Sequence, residues 1–462
     1  MARRLALVAL SGLTCIGALL VSRREVAPES YFGLSPTRST SGRFIAADRL
    51  GNSDYCAACH TQIFHEWGAS AHHFSSLNNP FYRQVALATL DERGPAVFKL
   101  CAGCHDPIPL LSGRIDTLDV RDWPANAGIT CVACHRIDAV HGHNGAYTMA
   151  QPSLDTIVLS SSPMLREAHS AFVRALPSLH GGQFKRALHS EPEYCRACHT
   201  LVVPRQVNGV RDLVLQDDHG SWLHGPLSGA NGTSPRTTCI DCHMPLVPSE
   251  DPAARDGLAR SHRFLGGNTA LPLLNREAEH LSATERFLRE RAPRLRVEAV
   301  NVANQAIDLR VTVANESMGH AFPGGTSESN EAWLALDVRD EAHAPVFTRG
   351  AVDPAGEITG APDFLRSVFL DSSGHATTRG TTSTRAVAHG PASTVPPGAS
   401  RTFHYRFGVP RTARFPLEAR VELKWRKFSR QFTQAVFPQS PPELPITTLA
   451  AASMGIEAKR SH

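Results

Sequence analysis

The chain has 462 residues, and 47 Lys+Arg against 43 Asp+Glu leave a formal charge of +4. That length supports two or three domains with ample core, and the even balance without a dense basic run excludes a nucleic-acid binder. A hydrophobic share of 42% with 19% charged residues excludes wholesale disorder, and the odd count of 11 cysteines excludes a fully paired disulfide framework.

The chain opens on Met1-Ala-Arg3-Arg4, runs without a charge from Leu5 to Val21, and then meets Ser22-Arg23-Arg24. A basic start followed by an apolar stretch is the pattern of an export signal. No small-x-small cleavage site follows Val21, and the stretch reaches the lower limit for a bilayer span. Residues 1–24 therefore read equally as a signal peptide or a membrane anchor, with membrane contact through this segment if it is uncleaved. As an anchor it would place Arg3 and Arg4 as the positive-inside rule asks and Arg23 and Arg24 against it. Cys15 reads as an ordinary apolar residue of the segment.

Residues 53–267 hold the other ten cysteines, in five copies of one pentapeptide. The copies are Cys56-Ala-Ala-Cys59-His60, Cys101-Ala-Gly-Cys104-His105, Cys131-Val-Ala-Cys134-His135, Cys195-Arg-Ala-Cys198-His199 and Cys239-Ile-Asp-Cys242-His243. Cys-x-x-Cys-His is the attachment sequence of c-type haem. Two thiols three positions apart add to the two vinyl groups of one porphyrin, and the following histidine offers an axial imidazole to the iron. Structural zinc pairs its Cys-x-x-Cys knuckles, which five copies cannot do, and gives no reason for a histidine after every second cysteine. A thioredoxin-like site needs one such pair at a helix start, not five in loops. The spacing of the motifs leaves room only for short helices between them, for example around Pro80–Leu90 and Met164–Leu176. Five covalent haems c would then supply much of the core and lie close to one another, as electron hopping requires.

Residues 268–293 read as a linking helix, with the capping-box match Ser282-Ala-Thr-Glu285 opening it and an end near Ala292. Residues 294–440 change to period-2 alternation. The strands expected are Leu295–Val302, Ile307–Val313, Trp333–Val338, Thr402–Phe407 and Ala419–Trp425, separated by Gly, Pro and Asn turns. This pattern predicts an antiparallel β-sandwich. Gly350–Pro397 reads as long loops that could dock onto the haem domain, and residues 441–462 as a flexible tail. The fold class is α+β: a mostly helical and loop pentahaem domain followed by the sandwich.

Eighteen of the 23 histidines lie outside the motifs. Electron-transfer haems commonly take a second axial imidazole, and a Gly-rich turn beside a histidine lets backbone approach a flat ring. His72, His189, His262 and His320 are the leading candidates. His169 and His180 rank behind them, then His141, His143 and His73. Histidines beyond His343 read as surface residues, and Met164, Met244 and Met318 are the alternative ligands.

These residues resemble a known family. Cys56 to His60 followed by His65-Glu66-Trp67, Ser70 and His72, then Gly128-Ile-Thr-Cys131, Glu193-Tyr-Cys195 and Cys242-His243-Met244-Pro245 look like multihaem c-type cytochromes. Those cytochromes are relatives of hydroxylamine oxidoreductase and pentahaem nitrite reductase. His262-Arg-Phe-Leu-Gly-Gly-Asn268 and Gly319-His-Ala-Phe-Pro-Gly-Gly325 resemble the form in which a β-sandwich follows the haem domain. The resemblance implies bis-histidine haems in stacked and perpendicular pairs, with His72, His189, His262 and His320 as distal ligands. Two departures limit it. Pentahaem nitrite reductases carry one Cys-x-x-Cys-Lys haem, whereas all five motifs here end in histidine, and the octahaem catalytic members have eight motifs. Nitrite reduction and hydroxylamine oxidation are therefore not carried over.

Two functions remain. The first is an exported, periplasmic electron carrier between a membrane quinol-linked donor complex and a periplasmic or extracellular redox protein acceptor. The second is an oxidoreductase in which one haem lacks a distal ligand and binds a small nitrogen compound. A sandwich that docks a partner subunit is compatible with both.

Overall fold

The structure is a computed structural model that describes residues 26–51, 53–151, 163–230, 232, 235–303, 306–377 and 383–458. The export or anchor segment, with Cys15, lies outside the described residues. Among the described residues no helix is long and apolar enough to cross a membrane.

The first part of the chain is built from short helices: α1 (Thr61–Gly68), α2 (Pro80–Arg93), α3 (Pro95–His105), α4 (Cys131–His135), α5 (Pro163–Ala175), α6 (Pro177–Phe184), α7 (Pro192–His199), α8 (Cys239–His243) and α9 (Ala278–Glu290). Proline at the first helical position, where no N–H is needed, starts α2, α3, α6 and α7. Asn79 strengthens the start of α2 by accepting from the backbone N–H groups of Phe81 and Tyr82. Small antiparallel ribbons, such as Thr200–Val203 with Leu213–Asp217, fill the gaps.

Seven long strands follow: β1 (Arg294–Ala303), β2 (Ala306–Ala314), β3 (Asn330–Arg339), β4 (Pro345–Arg349), β5 (Ser400–Gly408), β6 (Leu417–Lys427) and β7 (Thr447–Ile456). They form two antiparallel sheets, β5-β2-β1 and β4-β3-β6-β7, with Asp363–Phe364 added to β3. The alternation is strict on β2, where Ile307, Leu309, Val311 and Val313 are wholly buried. Those side chains meet Leu334, Leu336 and Val338 of β3 and Val421 and Leu423 of β6 in one core shared by the two sheets. The molecule is α+β, a helical region followed by a sheet-rich one.

Two expectations are corrected, and a third holds in its docking while gaining short strands. Helix α9 begins at Ala278, four residues before Ser282, so the capping box is not its start. His280, Ala283 and Thr284 are buried there, and packing of that face carries the helix back past the local signal. Residues 441–462 are not a tail throughout, because β7 pairs along β6 and buries Thr447, Leu449 and Ile456. Gly350–Pro397 includes the paired strands Phe369–Leu370 and Ala388–His389. Its Phe369 and Ala386 pack on Val97, Leu100, Val203 and Leu215 of the helical region, and Arg385 pairs with Glu92 across the same seam. A second seam stacks Phe81 on Phe428 with ring centroids 3.9 Å apart, beside Ala270, Phe432 and Leu444.

Candidate haem-binding site

Four of the pentapeptides fall on helices rather than in loops; in the first, the helix ends at Ala57 and Cys59 and His60 follow in a turn that the His60 N–H closes on Cys56 O at 2.8 Å. In a helix, positions i, i+3 and i+4 share one face, so a single turn aims both thiols and the imidazole the same way. Local chemistry secures these turns. Thr130 caps α4 by accepting from the Ala133 N–H and donating to Leu50 O. Thr238 and Asp241 form a reciprocal capping box on α8.

The five turns converge on one cavity of about 1790 Å³, lined by His60, His105, His135, His199 and His243. Ordinary small-ligand pockets are roughly 300–1,000 Å³. Thiols from different motifs meet at its edges. Hydrogen bonds to Cys131, Cys198 and Cys239, with burial added, push the thiols of Cys56, Cys104 and Cys195 respectively well above their ordinary range. The first and third turns, the second and fourth, and the fourth and fifth are therefore neighbours. Order along the chain is not order in space. Among the described residues no three His, Cys, Asp or Glu side chains gather as a metal cage.

The residues fit haem in two independent ways. A ligating histidine turns one ring nitrogen to the metal and donates the other N–H to a protein oxygen. Nδ1 of His105 faces Ser75 O at 2.8 Å, His135 faces Phe184 O at 2.5 Å, His243 faces Leu265 O at 2.6 Å and His60 faces Asp251 Oδ1 at 2.8 Å. Each bond leaves Nε2 for a metal. Second, two imidazoles on opposite sides of one ion, each bound at about 2 Å, bring their ring centroids to about 6.3 Å. His60 and His180 are 6.3 Å apart, and His135–His262, His199–His72 and His243–His320 are each 6.2 Å apart.

Protonation suits ligation too. Burial, with neighbouring imidazoles adding to it, lowers His72 and His135 to about 3 and His243 to about 4, and burial also lowers His105 and His262. These rings are held neutral, the form that binds a metal.

Of the distal candidates, His72, His262 and His320 stand opposite motif histidines. His189 does not: it is half-buried, 5.0 Å from both His135 and Tyr194 in edge-on contact. His169 sits against the Tyr55 hydroxyl. His180, ranked lower from sequence, takes a paired position; the Gly181-Gly182 pair beside it matches in sequence the glycines near His262 and His320 but lies within α6. Among the described residues no imidazole takes the corresponding position opposite His105, whose ring lies parallel to Tyr82 at 4.1 Å. Asp251 and Glu66 were missed, because each acts across about 190 residues of chain and no local pattern marks either.

Glycines shape two of these positions. Gly128 has φ +66, and a Cβ there would lie 2.0 Å from His73 O. The turn it makes lets the Ile129 N–H bond to His72 O at 2.9 Å. A Cβ on Gly324 would lie 2.5 Å from the His320 ring.

Residues 55–136 match the family model described as cytochrome c554 and c-prime. No curated protein matches the chain. Among solved structures, the chain is similar to a penta-heme cytochrome c552 from Thermochromatium tepidum at 19% identity, with a TM-score of 0.59. That match covers 88% of this chain and 100% of the other, and shows a likeness of fold. With the five attachment sequences, these findings support a multihaem c-type cytochrome.

Proposed function

We propose that this chain is an exported electron carrier that holds five haems c. Cys56 and Cys59, Cys101 and Cys104, Cys131 and Cys134, Cys195 and Cys198, and Cys239 and Cys242 form the thioethers. The histidine after each pair is the proximal ligand, and His180, His262, His72 and His320 are the distal ligands of the first, third, fourth and fifth sites. The observation that carries this reading is the set of four imidazole pairs at 6.2–6.3 Å around one cavity. When bound, the haems supply one-electron iron chemistry at closely spaced sites. The buried imidazoles would hold the irons, and the packing of the attachment turns against one another would keep neighbouring sites close. Export by Leu5–Val21 and exchange with a membrane quinol-linked donor and periplasmic or extracellular acceptors complete the proposal. So does the kinship with hydroxylamine oxidoreductase and nitrite reductase relatives. A pyridine haemochrome assay is expected to give five haems c per chain; three or fewer overturns the reading.

His105 favours a second reading at one site. With no imidazole opposite it among the described residues, an iron held there keeps a position open to a small nitrogen compound, and the chain is then an oxidoreductase. A high-spin ferric signal by EPR, or a spectral change with cyanide or nitric oxide, decides for this reading. A fully low-spin protein indifferent to both decides against it.

A further inference from the structure

The proximal histidines do not all donate to the same kind of oxygen. For His105, His135 and His243 the acceptor of Nδ1–H is a backbone carbonyl. For His60 it is the carboxylate of Asp251, at 2.8 Å. The Asp251 side chain is only 1% exposed, and its second oxygen is buried without a protein partner among the described residues. His60 is the side chain that bonds this carboxylate directly, although its charge also reaches His262.

Asp251 is also held in place. Its Oδ1 accepts from the Ala253 N–H at 2.8 Å, and its own N–H donates to Ser249 Oγ at 3.1 Å. Ser249 Oγ donates to Gln62 Oε1 at 2.8 Å, and Gln62 Nε2 donates to Glu66 Oε1 at 3.2 Å. Glu66 in turn accepts from the backbone N–H of His262 at 2.6 Å and from Ser261 Oγ at 3.0 Å. The loop that carries Asp251 is thereby tied to α1, the helix that begins directly after His60.

A hydrogen bond to a carboxylate is roughly twice as strong as one to a neutral carbonyl. It shifts electron density onto the imidazole, making it a more basic ligand. A more basic axial ligand favours ferric over ferrous iron, and hydrogen bonding around the ligands is one of the means by which a protein sets haem potential.

We propose that Asp251 is a positioning residue that makes the haem held by Cys56, Cys59 and His60 the lowest in potential of the five. The proposal rests on the haem reading above. Cys59 is the exposed attachment cysteine, and the first turn has its thiol contact with the third turn alone among those named above. Electrons received at this surface site run towards sites of higher potential inside.

The test is a redox titration of the full-length holoprotein, followed by haem absorbance, comparing wild type with Asp251→Asn. Asparagine keeps a side-chain oxygen for His60 and Ala253 and removes the charge, putting an amide NH2 where the second oxygen stood; Asp251→Ser repeats the test should the amide not be tolerated. The expected result is that one fifth of the absorbance change, the last to be reduced in wild type, moves to higher potential. The size expected is about a tenfold change in the ferric-to-ferrous ratio at a fixed potential, which is 59 mV for a one-electron couple. The other four fifths stay in place, and Asp251→Glu, which retains the charge, keeps the low potential. An unchanged titration overturns the proposal. So does a shift spread over all five components, or one that falls on a component other than the last reduced. Haem counts on the same samples separate the two levels: five haems with an unmoved titration remove the role of Asp251 alone, whereas a missing first haem in wild type removes the haem reading at Cys56–His60.

Discussion

Pairs of histidines that share a spacing differ in orientation. The planes of His60 and His180, His135 and His262, and His243 and His320 lie within 10–25° of parallel, whereas His72 and His199 are turned by 80°. The angle between axial imidazoles controls the splitting of the iron d orbitals, so the perpendicular pair is expected to give the most anisotropic low-spin EPR signal of the oxidised protein. His72→Ala should remove that signal and spare the three more rhombic ones. If the anisotropic signal survives, His72 does not ligate that iron. The His72 ring is positioned by its backbone contact with the Gly128 turn and by Phe264, edge-on at 4.2 Å.

At the scale of elements, β2 and β7 show what makes a strand legible. On β2 large β-branched and leucine side chains alternate with Asp308, Arg310 and Thr312, and the period of two is plain. On β7 the run Thr-Thr-Leu-Ala-Ala-Ala-Ser-Met-Gly-Ile alternates mostly among small residues, so its outline is faint in sequence. The register with β6 also shifts at Leu423/Lys424, which interrupts the period where the buried Leu449 would otherwise anchor it. A truncation after residue 446 is expected to expose Val421 and Leu423 and leave β6 an open edge. Thermal unfolding should then fall sharply, and soluble yield with it. A truncation that leaves the melting curve unchanged would mean that β7 adds nothing to the sheet.

At the scale of the molecule, the helical and sheet-rich regions share the site. His320 comes from the loop between β2 and β3, yet it stands opposite His243. Its loop is pinned to the helical region where the Ala321 N–H donates to Ser221 Oγ at 2.9 Å and the Gly325 N–H to Asp218 Oδ1 at 2.8 Å. Trp425 of β6 donates to Gly267 O at 3.0 Å. Deleting Pro293–His462 to test a docking role for the sheets would thus also remove His320 from the site. The Phe81–Phe428 seam is the place to test the union: Phe428→Ala is expected to cost about 3 kcal/mol. The shift in haem absorbance and the loss of far-UV circular dichroism should still occur in one transition. Two separate transitions in the wild-type protein would show that the regions unfold independently.

The sequence by itself determined the five attachment motifs, because Cys-x-x-Cys-His is complete within five residues and its groups are neighbours along the backbone. It also determined the strands whose large apolar residues alternate, and a shortlist of distal histidines that sit beside glycine turns. Only the tertiary structure decided which imidazole faces which. His72 precedes His199 by more than a hundred residues, and a pairing across that distance depends on how the intervening turns pack. The same holds for Asp251 against His60, for β7 against β6, and for His105, which is set apart from the other four motif histidines by what stands opposite it in space.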